Sequence, residues 1–72
     1  MAIARVVEVT ATSPSSFEDA IQQGLERVHR TLRNVKSAWI KDQSINLEDG
    51  RIAEYQVNML VTFVLDDSDE LG

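Results

Sequence analysis

A chain of 72 residues without cysteine suits one small domain, near the lower limit at which a single hydrophobic core suffices. With no disulfide or thiolate-bound metal to add stability, association of copies is the expected remedy. Twelve acidic against seven basic residues leave a net charge of −5, which repels a phosphate backbone and argues against nucleic acid as a partner. No apolar run reaches membrane-spanning length, and the opening Met1 to Val6 lacks the apolar core of a signal peptide, so no membrane partner and a cytoplasmic location are expected.

Taken in chain order, Ile3 to Thr10 alternate, with Ile3, Arg5, Val7 and Val9 on one side and Ala4, Val6, Glu8 and Thr10 on the other. This predicts a first strand. The segment from Thr12 to Ser16 stops it, because Pro14 has no N–H for a ladder and serines favour turns and helix caps. Ser15 with Glu18 fits a capping box, and Ser16 competes as N-cap. Phe17, Ala20, Ile21, Gly24, Leu25, Val28, Leu32 and Val35 then recur at three- and four-residue spacing, predicting a helix from about Ser16 to Asn34 with one apolar stripe. Gly24 lies inside that stripe, where close approach of helix to sheet would offset its poor helix propensity. Lys36 to about Leu47 reads as a second strand, bent or bulged between Lys41 and Ser44 where the alternation slips. The sequence Glu48-Asp49-Gly50 predicts a tight turn with positive φ.

The run from Glu54 to Leu65 is the longest strand signal. Tyr55, Val57, Met59, Val61, Phe63 and Leu65 form an apolar face, and Gln56, Asn58, Leu60, Thr62 and Val64 a mixed one. The order β-α-β-β then predicts an α+β fold. If the helix returns the chain to its starting end, three strands are fully antiparallel only in the order one, three, two. The helix would cover the face with Val57, Met59, Val61 and Phe63. Nothing in the chain is left to cover the face with Leu60 and Val64, and a half-apolar open sheet is an association surface. The expectation is an obligate homo-oligomer built from residues 1–66 as a single domain, with 67–72 as a frayed acidic tail.

Candidate chemistry is sparse. There is no thiol, no nucleophile elbow, no glycine-rich phosphate loop and no histidine beside a hydroxyl nucleophile, so the chain does not read as an enzyme. His29 has no convergent ligands and reads as a structural histidine. Glu48 and Asp49 are two carboxylates where calcium asks for six to eight oxygens, and read as a solvated turn.

An ordered set of short pieces carries a family resemblance: Val7-Glu8-Val9 with Thr12-Ser13, then Ser15-Ser16-Phe17-Glu18, Thr31-Leu32-Arg33-Asn34, Asp49-Gly50, Glu54-Tyr55-Gln56-Val57, and Phe63 with Leu65. The chain resembles the dodecins, small proteins that assemble as hollow homododecamers and stack flavins between tryptophans, with a glutamine on the isoalloxazine edge. The resemblance implies that Gln56 is that glutamine. It places Ser37 at the tryptophan position, while the one indole, Trp39, lies two residues on, a shift of about 7 Å along a strand. Ser44 and Val64 stand where many bacterial members carry arginines, which suits riboflavin better than flavin mononucleotide (FMN). The cofactor expectation is therefore a flavin, riboflavin or FMN, held by Gln56 and Ser37 with Trp39 as a displaced apolar wall. The alternative is a flavin-free shell with a structural or calcium-binding role. Trp39 reads first as a subunit-interface residue, ahead of a ligand wall, and Gln56 equally as one that bonds its own copy across a symmetry axis.

Overall fold

The computed structural model describes residues 2–65; the acidic segment 67–72 lies outside them. Four elements follow one another: β1 (Ile3–Ser13), α1 (Phe17–Thr31), β2 (Val35–Glu48) and β3 (Arg51–Leu65). The sheet has the order β1-β3-β2 with both pairings antiparallel, as the element order predicts. The strand that ends the described chain is thus its centre.

Alternation on β3 decides which side is dry. Val57, Met59 and Val61 are fully buried and Phe63 nearly so, together with Ala20 and Val28 of α1. Val7, Val9 and Ala11 of β1 and Ala38 and Ile40 of β2 complete this layer. The helix reaches it through Gly24. A methyl built there would lie 2.8 Å from Met59 Cε and 3.0 Å from Ala11 Cβ, closer than ordinary side-chain contact. Helix propensity is given up at Gly24 so that α1 can lie flush against β1 and β3.

The helix is capped one residue after the first capping candidate, Ser15. Ser16, in extended conformation, is the N-cap and accepts from the Asp19 N–H at 3.0 Å. Ser15 instead donates its own N–H to the buried Ser13 Oγ, which in turn donates to Asp19 Oδ2 at 2.6 Å. β1 therefore runs on to Ser13 rather than ending near Thr10, because this hydroxyl is anchored beneath the cap. Phe17 meets Tyr55 edge to face at 5.1 Å, pinning the start of the helix to the sheet.

The helix also stops earlier than the stripe suggests, at Thr31 rather than Asn34, with Leu32 as C-cap. Leu32 and Val35 continue the apolar periodicity only because the chain turns back over the same core. Asn34 takes a left-handed φ of 60°, and its carbonyl accepts from the Val64 N–H at 3.0 Å. That corner delivers β2 to the sheet edge.

β2 carries register shifts between Val35 and Ser37, between Ile40 and Asp42, and, through an extra residue on β3, between Asn46 and Leu47. The slip expected between Lys41 and Ser44 is thus a bulge at Lys41, one step earlier. At the far end Asp49 and Gly50 have φ of 53° and 76°, the pair of positive values that a two-residue type I′ hairpin requires. β1 pairs with β3 only as far as Tyr55, so beyond it the hairpin projects as a two-stranded ribbon. The molecule measures 53 × 19 × 15 Å.

The core is too small for its apolar content. Among the described residues and Ala20 apart, five apolar side chains are buried, while six large ones, Trp39, Leu47, Val6, Ile3, Ile52 and Ile45, are exposed. Large apolar side chains left this open in so short a chain mark surfaces that another molecule covers.

Candidate functional site

The uncovered sheet face is where the chemistry collects. Tyr55 and Val57 are held on the helix side by Phe17 and the core, so strand alternation turns Gln56 to the open face. Trp39, opposite Leu60 in the ladder, shares it and is 66% exposed. Ser37 stands opposite Thr62, and Ser44 opposite Gln56.

This face divides along its length. Toward the end of β3 it is mostly apolar, with Val6 opposite Thr62, Ala4 opposite Val64, and Trp39 opposite Leu60. Toward the start of β3 it is polar and cross-linked. Thr10 Oγ1 donates to Asn58 Oδ1 at 2.9 Å, and Asn58 Nδ2 donates to Asp42 Oδ1 at 2.5 Å, a row that runs across all three strands. Asn46 Nδ2 donates to Glu54 Oε1 at 3.1 Å and to Gln56 Oε1 at 3.3 Å. Between the two halves Lys41 reaches across β3 to Glu8 at 3.4 Å. Both side chains are about half exposed there, so the pair orders the surface more than it stabilises it.

The three candidate ligand residues share a face but not a contact. By register Trp39 lies four β3 residues from Gln56, about 13 Å, and Ser37 six residues, about 20 Å. The spacing leaves the three without a common pocket on one chain's flat open face. Sequence reasoning missed Asn46 and Glu54, whose partnership with Gln56 depends on the ladder register.

Two concavities lie elsewhere. A groove of about 440 Å³ runs between α1 and the start of β2, lined by Leu25, His29, Val35, Ser37 and Ala38 among others. It exists because α1 packs on β1 and β3 and leaves this margin of β2 bare. A second, of about 470 Å³, surrounds Glu48, Asp49, Arg51 and Ile52 at the hairpin tip. Its two carboxylates, Glu48 and Asp49, fall short of the six to eight oxygens that calcium takes, and Arg51 lines the same concavity. Among the described residues no three acidic, histidine or cysteine side chains converge as a metal group, and no helix is long and apolar enough to cross a membrane.

A family model described as dodecin matches residues 3–66. The chain belongs to the dodecin family. A dodecin of Thermus thermophilus is 34% identical over 62 residues, spanning 86% of this chain and 90% of that protein. The solved dodecin from Streptomyces davaonensis aligns with a TM-score of 0.87 at 36% identity, covering 92% of this chain and 97% of that one. Calcium dodecin of Mycobacterium tuberculosis is 22% identical over 63 residues, 88% of this chain and 89% of that protein. Its crystal structure, described as having a novel calcium-binding site, shares the fold at a TM-score of 0.79 and 24% identity, over 92% of this chain and 94% of that one. Dodecins as a family form dodecamers and bind small molecules; they are binding and storage proteins rather than enzymes.

Proposed function

We propose that this dodecin assembles as a homododecamer and sequesters a riboflavin-type flavin between the open sheet faces of neighbouring copies, without catalysing a reaction. The observation that carries the reading is Gln56, turned to the uncovered face within a match to the dodecin family that spans residues 3–66. On that face Trp39 supplies an exposed indole, an apolar wall with the large π surface that a flavin ring stacks on. Ser37 leaves the space of the family's tryptophan open, so the ring sits displaced toward Trp39. Stacking out of solvent buries the ring and quenches its excited state, which fits storage. A cytoplasmic location accords with this role.

Riboflavin titrated into the purified protein is expected to lose most of its fluorescence at micromolar protein, and undiminished fluorescence would remove the flavin reading. Replacing Ser37 with Trp is expected to deepen the quenching and tighten binding about tenfold, since base- or ring-stacking on an aromatic side chain is worth about 1–3 kcal/mol. An unchanged affinity would place the ring away from position 37.

A second reading, a flavin-free shell that holds calcium, has its own support in Ser37 and in the relative named calcium dodecin. It needs carboxylates from several copies to reach six to eight oxygens. A melting temperature raised by calcium and restored by chelator, in protein that does not quench riboflavin, would favour it.

A further inference from the structure

We propose that Asn46 is a positioning residue for Gln56, fixing which way round the glutamine amide faces a bound ring, so that the site donates to a ring-edge acceptor. The proposal rests on the flavin reading for the identity of the ring but not for the orientation itself. Asn46 stands opposite Glu54 in the ladder and diagonal to Gln56, and all three side chains are half-buried on one face. Its Nδ2 donates to Glu54 Oε1 at 3.1 Å and to Gln56 Oε1 at 3.3 Å.

The sense of this fork is forced. An ionised carboxylate only accepts, so Asn46 must turn its NH2, and not its carbonyl, toward Glu54. The second hydrogen of that NH2 is then available to Gln56, which must answer with Oε1. Glu54 thus orients Asn46, and Asn46 orients Gln56. The Nε2 of Gln56 is left on the side away from Asn46, with no hydrogen bond from it among the described residues. A ligand approaching over the open face meets an N–H donor first. The matching edge carries carbonyl oxygens or imine nitrogens, both of which an isoalloxazine presents. Its one ring N–H donor, at N3, is not the group this arrangement selects.

The test compares riboflavin with 3-methylriboflavin, which lacks the N3 proton, on the wild-type protein and on Asn46→Asp. The variant carries Glu54→Gln as well, because Glu54 lies 3.1 Å from the amide at 46 and would otherwise share a proton with the new carboxylate. The ionised aspartate then only accepts, draws Gln56 Nε2 toward itself and turns Oε1 outward. Wild-type protein is expected to bind the two flavins within about threefold of each other. The double variant is expected to disfavour the methylated flavin about tenfold, the worth of one hydrogen bond. A wild-type protein that already rejects the methylated flavin, or a ratio that the double variant leaves unchanged, would overturn the proposal.

The ligand-free protein gives an independent readout through the Gln56 side-chain amide signals in nitrogen-15 NMR. They are expected to be dispersed in wild-type protein and to collapse toward the values of a free glutamine in Asn46→Leu. Signals at the free-glutamine position in wild-type protein would overturn the positioning role. If riboflavin is bound by neither protein, the flavin reading falls, and these signals still decide the role of Asn46.

Discussion

Replacing Met59 with Ala is expected to destabilise the protein by about 2–5 kcal/mol, enough to abolish a marginal fold of this size. Met59 is fully buried at the centre of the central strand, flanked in the ladder by Val9 and Ile40. Its Cε occupies the space in front of Gly24. The same geometry predicts a rescue. In the Met59→Ala background, Gly24→Ala no longer meets the thioether methyl, only the 3.0 Å approach to Ala11 Cβ remains, and the change recovers part of the roughly 1 kcal/mol of helix propensity lost at glycine. In the wild-type background the added methyl still collides with Met59 Cε and Ala11 Cβ. The two substitutions are therefore expected to be non-additive in a double-mutant cycle read by urea unfolding. Simple additivity would mean that the helix does not approach the sheet at this point.

Leu60→Asp is expected to act on assembly rather than on the core. Leu60 faces the uncovered side between Glu8 and Trp39. A carboxylate there adds like charge beside Glu8 and cannot be dried without a partner, at a cost of several kcal/mol per copy. The helix-side core is untouched, so a self-sufficient monomer would tolerate the change as a surface substitution within about 0.5 kcal/mol. The expectation here is different. Light scattering should show the large species gone, and circular dichroism should show most of the folded signal lost with it. Leu60→Met, of similar volume and still apolar, should leave both intact.

Much of the fold was legible because local chemistry and global topology agree. The alternation from Tyr55 to Leu65 marks the central strand, and β-α-β-β with antiparallel pairing leaves one strand order. Asp49-Gly50 names its own turn. Gly24 announces a close approach, since nothing else would place it in a helical stripe. What stayed hidden depends on the partner strand. The bulge at Lys41 is a matter of register, which the periodicity of β2 alone does not carry. The apolar stripe overruns the helix end because Leu32 and Val35 reach the same core from a turn and a strand. The site was legible as a face and not as a pocket. Gln56 and Trp39 fall on the open side by alternation, but their separation of about 13 Å is set by the ladder. Asn46 reads in sequence as one more polar strand residue, and only its diagonal to Gln56 gives it a role.

In the proposed dodecamer, other copies cover the sheet face that one chain leaves wet. Sedimentation of the purified protein across a dilution series, with circular dichroism on the same samples, tests this most directly. The predicted result is a single folded species of twelve times the 8.1 kDa chain mass, with folded signal lost whenever the mass falls. A stable, fully folded monomer at high dilution would contradict it.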